Sequence, residues 1–340
     1  MIRKIAHLAD IHIRKTPTRN EEYQQVFDRT IASLKEQKPD RIAIVGDLVH
    51  DYLDLQGEQL IMAHNFLKEL ARIAPVRITR GNHDCRKKNL KRVDSIKAIV
   101  ETLEDADIIY YDKTDIYYDE NIAWAVWHHG EKNNNPWKTK EGKIYEKLRS
   151  TSVSKDGDGN YTIPDYTAID LFHDPITGCI STTDFEMKSK SYYKVSDFKG
   201  DLSLFGDIHR FQYLDKKQTK AYCGSLVAQD ITEGDGAFHG YLLWDVENKV
   251  FSPIPIHNDN SFHNIKITPY TDFEDLDFEI ENPTKFMKIR FIWGTLPQTR
   301  TKENERSVID YVKGYLFKEN VVTISHKNEF IENENVDINE

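Results

Sequence analysis

A hydrophobic core has no use for an amide, an imidazole and a carboxylate in consecutive positions, because each needs its own partner when buried. Gly81-Asn82-His83-Asp84 sets those three groups side by side, directly after the short apolar run Val76 to Thr79. The run reads as a buried strand, and Arg80-Gly81 turns the chain at its end. A site that binds a metal and moves a proton does use such a set. Two earlier strand-like runs end in similar chemistry, at Asp10-Ile11-His12 and at Gly46-Asp47-Leu48-Val49-His50. The expected fold is one that brings these strand ends together.

The surrounding pattern is compatible with that. Ile2 to Ala9 reads as a strand, and Asn20 as the N-cap of a helix with Tyr23, Val26, Phe27, Ile31 and Leu34 on one face. Ile42 to Val45 is a second strand. A helix carrying Leu60, Ile61, His64, Leu67 and Leu70 precedes the third, and one carrying Val93, Ile96, Ile99, Val100 and Leu103 follows it. Strands alternating with helices predict an α/β domain with parallel pairs. Ligands in such sheets bind beyond the carboxyl ends of the strands, where Asp10, Asp47 and Asn82 fall. The second half reads mostly as strands: Ile122 to Trp127, Ile169 to Phe172, Leu202 to Phe205, Ala221 to Cys223 and Phe238 to Trp244. The polar stretch 131–164 reads as a long insertion or loop. Beyond His257, prolines punctuate a new block with a strand over Lys285 to Trp293 and a helix around Val308 to Leu316. The expected organisation is a large domain over 1–257, a small α+β domain over 258–325 and an acidic, flexible tail over 326–340.

At 340 residues the chain has room for both domains, and its 39% hydrophobic content is that of a soluble globular protein with no membrane-length apolar run. The N-terminus enters a strand with no signal-peptide pattern, and Cys85, Cys179 and Cys223 share no metal-ligand spacing. A cytoplasmic protein is expected. The net charge of -10 argues against a nucleic-acid partner, but five of those charges, Glu329, Glu332, Glu334, Asp337 and Glu340, lie in the tail. Conversely Arg86, Lys87, Lys88, Lys91 and Arg92 crowd in just after the Asn-His pair, a placement suited to holding phosphates.

Aspartate, histidine and asparagine offer hard oxygen and borderline nitrogen donors without thiolate, which suits manganese, iron or zinc. An aspartate shared between two metals about 4 Å apart suits phosphoester hydrolysis. Later strands offer further donors: His173 ends the run from Ile169, and Gly206-Asp207-Ile208-His209 ends the run from Leu202. His128-His129 also follows a strand but falls outside this order and reads as structural.

These residues together resemble the calcineurin-like metallophosphoesterases, whose pattern is Asp-x-His, Gly-Asp, Gly-Asn-His-Asp or Glu, a single His, and Gly-His-x-His. The likeness runs from Ile2 to about Trp244. Within that superfamily the chain is similar to the SbcD-type DNA repair and recombination nucleases, through His50 after Asp47, Arg210 and Gln212 after the last motif, and Tyr222-Cys223-Gly224-Ser225. It looks closest to the exonuclease subunits of T-even-type phages. The resemblance implies a two-sheet β-sandwich core flanked by helices, with a small C-terminal α+β capping domain. It implies that Asp10, His12 and His209 hold one metal, that Asn82 and His173 hold the other, and that Asp47 bridges them. The metals are expected to be two manganese ions, or magnesium. His83 would protonate the leaving 3′ oxygen or hold the scissile phosphate, with His50 helping and Asp84 orienting the imidazole. The implied activity is cleavage of double-stranded DNA ends, exo- and also endonucleolytic. The implied partners are DNA, a coiled-coil SbcC-like ATPase and a second copy of this chain, with no membrane. Asp207 departs from the pattern, standing where the family has a histidine; it is either a carboxylate ligand or a plain turn residue. Two alternatives stay open: a metallophosphatase acting on a small or protein phosphoester, and a non-catalytic scaffold with a degenerate site.

Overall fold

The structure, a computed structural model, describes residues 1–16, 19–86, 88–131, 134–150, 166–189, 192–234, 237–267, 288–293, 306, 310 and 321–326. The chain divides into two compact units. One comprises Met1–Val227 and Phe238–His257; the other takes Ala228–Ala237 and the chain from Asn258 on.

The first half of the large unit runs β1 (Lys4–Leu8), α1 (Asn20–Gln37), β2 (Arg41–Val45), α2 (Gly57–Ala71), β3 (Val76–Thr79), α3 (Ser95–Val100), β4 (Ile108–Tyr110), β5 (Asp115–Asp119) and β6 (Ile122–Trp127). It continues through α4 (Lys140–Ser150), β7 (Thr167–His173), β8 (Leu202–Gly206), β9 (Gln212–Tyr213), β10 (Lys220–Tyr222), β11 (Gly240–Asp245) and β12 (Val250–Pro255). Two six-stranded sheets result, in the orders β12-β11-β1-β2-β3-β4 and β5-β6-β7-β8-β10-β9. β1 to β4 are mutually parallel, as are β6, β7, β8 and β10. The parallel runs aim their carboxyl ends at the same kind of loop, which is where ligand chemistry collects in α/β sheets.

Alternation along each strand decides what it packs against. Ile5 and Ala9 of the β1 segment, with Ala43 and Val45 of β2, join Trp124, Val126, Ile169, Leu171, Leu202 and Leu204 in the layer between the sheets. Ala6, Leu8, Ile42, Ile44, Val76 and Ile78 face the other way, under α1 and α2. The outer side of the second sheet buries Trp127, Phe172 and Phe205 with Trp137 and Tyr145. The architecture is thus the expected two-sheet sandwich flanked by helices.

Several local expectations need correction. Helix α1 starts at Asn20, so its N-cap is Arg19, which makes no side-chain cap bond; Glu21 and Glu22 in the first turn suit the helix dipole instead. In α2 the buried residues are Gln59, Ala63, Phe66, Leu67 and Leu70, while Leu60 and Ile61 are exposed. A capping box between Gln56 and Gln59 fixes that start and turns Gln59 inward. Helix α3 begins after the Asp94 cap, leaving Val93 outside it and exposed. The stretch expected to be a loop holds a helix, α4; just before it Trp137 inserts and donates to Asp170 Oδ1 at 3.0 Å. Residues 151–164 of that stretch lie outside the described residues.

The second unit contains a three-stranded parallel sheet of β13 (Phe262–Ile267), β14 (Lys288–Trp293) and β15 (Val321–His326). The expected strand over Lys285 to Trp293 corresponds to β14. The expected helix around Val308 to Leu316 lies almost wholly outside the described residues, as does the expected tail beyond His326. Among the described residues no helix is long and apolar enough to cross a membrane.

Candidate metal centre

The carboxyl ends of β1, β2 and β3 deliver Asp10 and His12, Asp47, and Asn82 and His83. The ends of β7 and β8 deliver His173, and Asp207 and His209. All except Asn82, His83, Asp207 and His209 are buried, and those four are half-buried. His12 Nε2 lies 2.9 Å from His209 Nε2, 3.4 Å from Asp47 Oδ2 and 3.9 Å from Asp10 Oδ1. His173 Nε2 lies 3.2 Å from Asp47 Oδ2 and 3.9 Å from both Asp10 Oδ1 and Asp207 Oδ1. Asp47 Oδ2 therefore lies between the His12 and His173 rings; Asp10, His12 and His209 form one potential metal-holding set and Asp10, Asp47 and His173 another, with Asp10 common to both. Asn82 Nδ2 donates to Asp207 Oδ1 at 2.6 Å, and the Asp207 backbone N–H donates to both Asp10 oxygens, at 3.0 and 3.1 Å. Asp207 is thus part of the cluster, not an isolated turn carboxylate.

The backbone at this site is held in a conformation side chains disfavour. Asp10, His12, Asp47 and Asp207 have φ of 51°, 49°, 54° and 91°. Non-glycine residues there cost roughly 1–3 kcal/mol each. Glycines complete the cradle. A Cβ at Gly46 would lie 2.2 Å from His173 Nδ1, one at Gly81 2.5 Å from His173 Nε2, and one at Gly206 2.6 Å from His173 Nδ1. The glycine before the donor residue on three strand ends therefore makes the socket for the His173 ring. That signal stood in the sequence, but only the packing shows its cause.

Electrostatics at the cluster follow from burial of like charges. Burial pushes Asp10 up to about 7, with His173 and His209 opposing. For Asp47, burial acts in the same direction, but the facing His173 and His12 overcome it and hold its carboxyl well below the usual range. Burial alone would lower the His173 pKa; the charges of Asp47, Asp10 and Asp207 outweigh it and raise the pKa instead. His12 is lowered by burial. The site thus favours positive charge at the point where Asp47 and His173 meet.

Two buried atoms there lack hydrogen-bond partners: His173 Nε2, which approaches Asp47 without hydrogen-bond geometry, and Asn82 Oδ1. His173 Nδ1 donates to the Val45 carbonyl at 2.7 Å, so the proton that the facing carboxylates favour on the ring sits on Nε2, and a cation there would replace it and take the Nε2 lone pair. Unpaired buried polar atoms are costly, and a cation satisfies both. The donors fit a hard to borderline divalent metal.

Around the cluster, His83 donates its backbone N–H to Asp47 Oδ1 at 2.8 Å and its Nδ1 contacts the His50 carbonyl at 2.5 Å. The His50 and His83 rings stack with centroids 5.2 Å apart, and His50 Nδ1 lies 3.4 Å from His12 Nδ1. Asp84 does not orient the His83 ring as expected. Its buried carboxylate accepts from the backbone N–H groups of Asp47, Gly81 and Val49 at 2.8, 2.9 and 3.1 Å. It holds together the two loops that carry Asp47 and Asn82, and the His50 carbonyl holds the ring. Of the basic run, Arg86, Lys88, Lys91 and Arg92 are exposed and make no ion pair among the described residues, while Lys87 lies outside those residues.

Sequence reasoning missed a second connection. Arg80 donates from Nε and Nη2 to the His129 carbonyl at 3.2 and 2.9 Å and pairs with Asp94 at 3.1 Å. His129 Nδ1 lies 3.0 Å from Asp174 Oδ2, beside His173. These contacts pin the end of β6 to the loops on either side of the cluster. The fully buried His128 remains structural, its pKa lowered to about 3 by burial.

A two-sheet α/β sandwich with this donor set at its strand ends has the arrangement that metal-assisted hydrolysis of phosphoesters calls for. A family model described as calcineurin-like phosphoesterase matches residues 3–211, and the chain belongs to that family. An uncharacterized protein of Acanthamoeba polyphaga mimivirus is 31% identical over 325 residues, which cover 94% of this chain and 22% of the viral protein. The chain therefore spans about a fifth of that relative's length. The crystal structure of TT1561 of Thermus thermophilus is similar over 76% of this chain and 100% of its own, with 12% identity and a TM-score of 0.43.

Proposed function

We propose that this phosphoester hydrolase is a DNA nuclease that cuts phosphodiester bonds at double-stranded ends. In this reading Asp10, His12 and His209 hold one divalent cation, Asn82 and His173 the other with Asp207 beside them, and Asp47 lies between. Manganese is the proposed metal, with magnesium as a substitute. When bound, such cations supply positive charge against the phosphate oxygens. His83, its Nδ1 committed to the His50 carbonyl, keeps Nε2 to protonate the leaving 3′ oxygen.

The observation that carries the choice of substrate is the exposed basic set Arg86, Lys88, Lys91 and Arg92, beginning three residues after His83. A small phosphoester needs no such row; a polymer of phosphates does. The overall charge of -10 weakens the chain's own attraction for DNA, so the proposal includes a partner that positions the duplex. An SbcC-like coiled-coil ATPase, acting on a dimer of this chain, fits that need.

The test is digestion of linear duplex DNA with manganese, by the chain alone and with such an ATPase. His83→Ala should bind manganese normally while turnover falls about a hundredfold or more, and Asp47→Ala should lose both. Hydrolysis of nucleoside or peptide phosphomonoesters with no DNA cleavage in either setting would refute the nuclease reading. Equal digestion with and without the ATPase would refute the partnership.

A further inference from the structure

Phe185 is 65% exposed, the most exposed aromatic ring among the described residues. One exposed apolar side chain is ordinary; the way this one is held is not. It lies at the tip of a hairpin in which Ile180 and Glu186 form an antiparallel bridge. Below the bridge, Met187 N–H donates to the Cys179 carbonyl at 2.8 Å and Gly178 N–H to the Met187 carbonyl at 2.9 Å. The turn closes with Ser181 N–H donating to the Phe185 carbonyl at 2.9 Å and Phe185 N–H to Ser181 Oγ at 3.2 Å.

The hairpin is strung between loops that carry metal-site residues. It leaves the chain soon after His173. Across from it, Gln212 clamps the backbone of Ile180, accepting from its N–H at 2.8 Å and donating to its carbonyl at 2.7 Å. Arg210, next to His209, pairs with Asp184 at the tip. At the base, Cys179 is buried in the same apolar cluster as Ile208, the residue between Asp207 and His209. The tip is therefore braced in a fixed pose by the loop that follows His209. Its acidic residues are both neutralised, Asp184 by Arg210 and Glu186 by Lys188 at 2.7 Å, so they offer little repulsion to a polyanion.

Contacts to phosphate alone hold a strand without fixing which bond is cut, whereas an aromatic face stacks on any base. We propose that Phe185 stacks on a nucleobase adjoining the scissile phosphodiester. This rests on the nuclease reading and adds to it a grip that only a polynucleotide engages.

The experiment measures steady-state kinetics with manganese on two substrates, a single-stranded oligonucleotide and bis(p-nitrophenyl) phosphate, which has no base. Phe185→Ala and Phe185→Leu should raise KM for the oligonucleotide between about 5-fold and about 150-fold, the range for losing one stacked base. Both should leave hydrolysis of the small diester unchanged, and Phe185→Trp should retain the native KM. An abasic nucleotide beside the cut should weaken binding to the native protein by a similar factor and have little effect on Phe185→Ala. An unchanged oligonucleotide KM in Phe185→Ala, or a native KM in Phe185→Leu, would overturn the stacking contact while leaving the nuclease reading in place. A native chain that hydrolyses the small diester but cleaves neither the oligonucleotide nor linear duplex DNA, with or without the ATPase, would overturn the nuclease reading, and the stacking contact with it.

Discussion

Replacing His7 with leucine should flatten the loss of stability in acid. His7 sits on β1 opposite Ala43 of β2 and Leu242 of β11, both members of the inter-sheet layer, and is fully buried. Neither ring nitrogen makes a hydrogen bond of good geometry, and the Phe205 backbone is the ring's polar support. Burial lowers its pKa from 6.5 to about 3, with the Phe205 backbone pulling weakly the other way. The folded value lies below the unfolded one, so as pH falls through 6.5 the unfolded chain takes up a proton that the folded chain refuses. Stability then drops by about 1.4 kcal/mol for each pH unit until about pH 3. Between pH 7 and pH 4.5 the loss from this one residue is about 3 kcal/mol. His7→Leu removes the titrating group and leaves a residue of similar size in an apolar layer, at little cost near pH 7. Urea unfolding at pH 7 and pH 4.5 measures the difference. The native chain should lose about 3 kcal/mol more than the variant on acidification, and His128, also lowered to about 3, should keep the variant from becoming pH-independent. Identical acid slopes in the two proteins would show that His7 charges without unfolding, and the burial argument would be wrong.

Asp84→Asn should destabilise the large unit by about 1–3 kcal/mol, because an amide cannot accept from Asp47, Gly81 and Val49 at once; thermal unfolding of native and variant chains checks this. Gly81→Ala should weaken manganese binding at least tenfold by calorimetry, since its Cβ would sit 2.2 Å from Asp47 Oδ1 and 2.5 Å from His173 Nε2; native affinity would mean the socket is looser than its geometry indicates. Neutralising Lys88 and Lys91 together should reduce the salt dependence of duplex binding by roughly two, about 0.9 for each phosphate that the protein no longer neutralises. An unchanged slope would return these lysines to the role of a solvated face.

Much of the site was readable because its chemistry is local. An Asp, Asn or His at the end of an apolar run is visible one segment at a time, and the α/β pattern says that such ends converge. What was hidden depends on other segments. Asp84 looks like a partner for the neighbouring His83 ring, but its bonds go to the backbones of Asp47 and Val49, more than thirty residues earlier. The left-handed backbone at Asp10, His12, Asp47 and Asp207 has no glycine to announce it, because the fold imposes it against local preference. Helix α4 reads as loop because few apolar residues mark its 11 positions; Tyr145 and the preceding Trp137 supply much of its anchorage to the second sheet. Leu60 and Ile61 mislead in the opposite sense, being apolar and outward.

The same facts explain why the site is assembled so rigidly. Four residues in a disfavoured backbone region cost roughly 4–12 kcal/mol together, if each carries about 1–3. Taking the Asp10 carboxyl out of water adds a further cost, which shows in its raised pKa. The facing His173 and His12 offset part of this at Asp47, and the two apolar layers on either side of the first sheet fix β1, β2 and β3 whatever their ends prefer. Asp84 then ties the Asp47 and Gly81 loops to each other, and Val45 fixes the His173 ring. Each donor is thus positioned by groups that have no part in the chemistry. His173 Nε2 and Asn82 Oδ1 are left without hydrogen-bond partners, which is the arrangement a cation completes and a self-sufficient core would avoid.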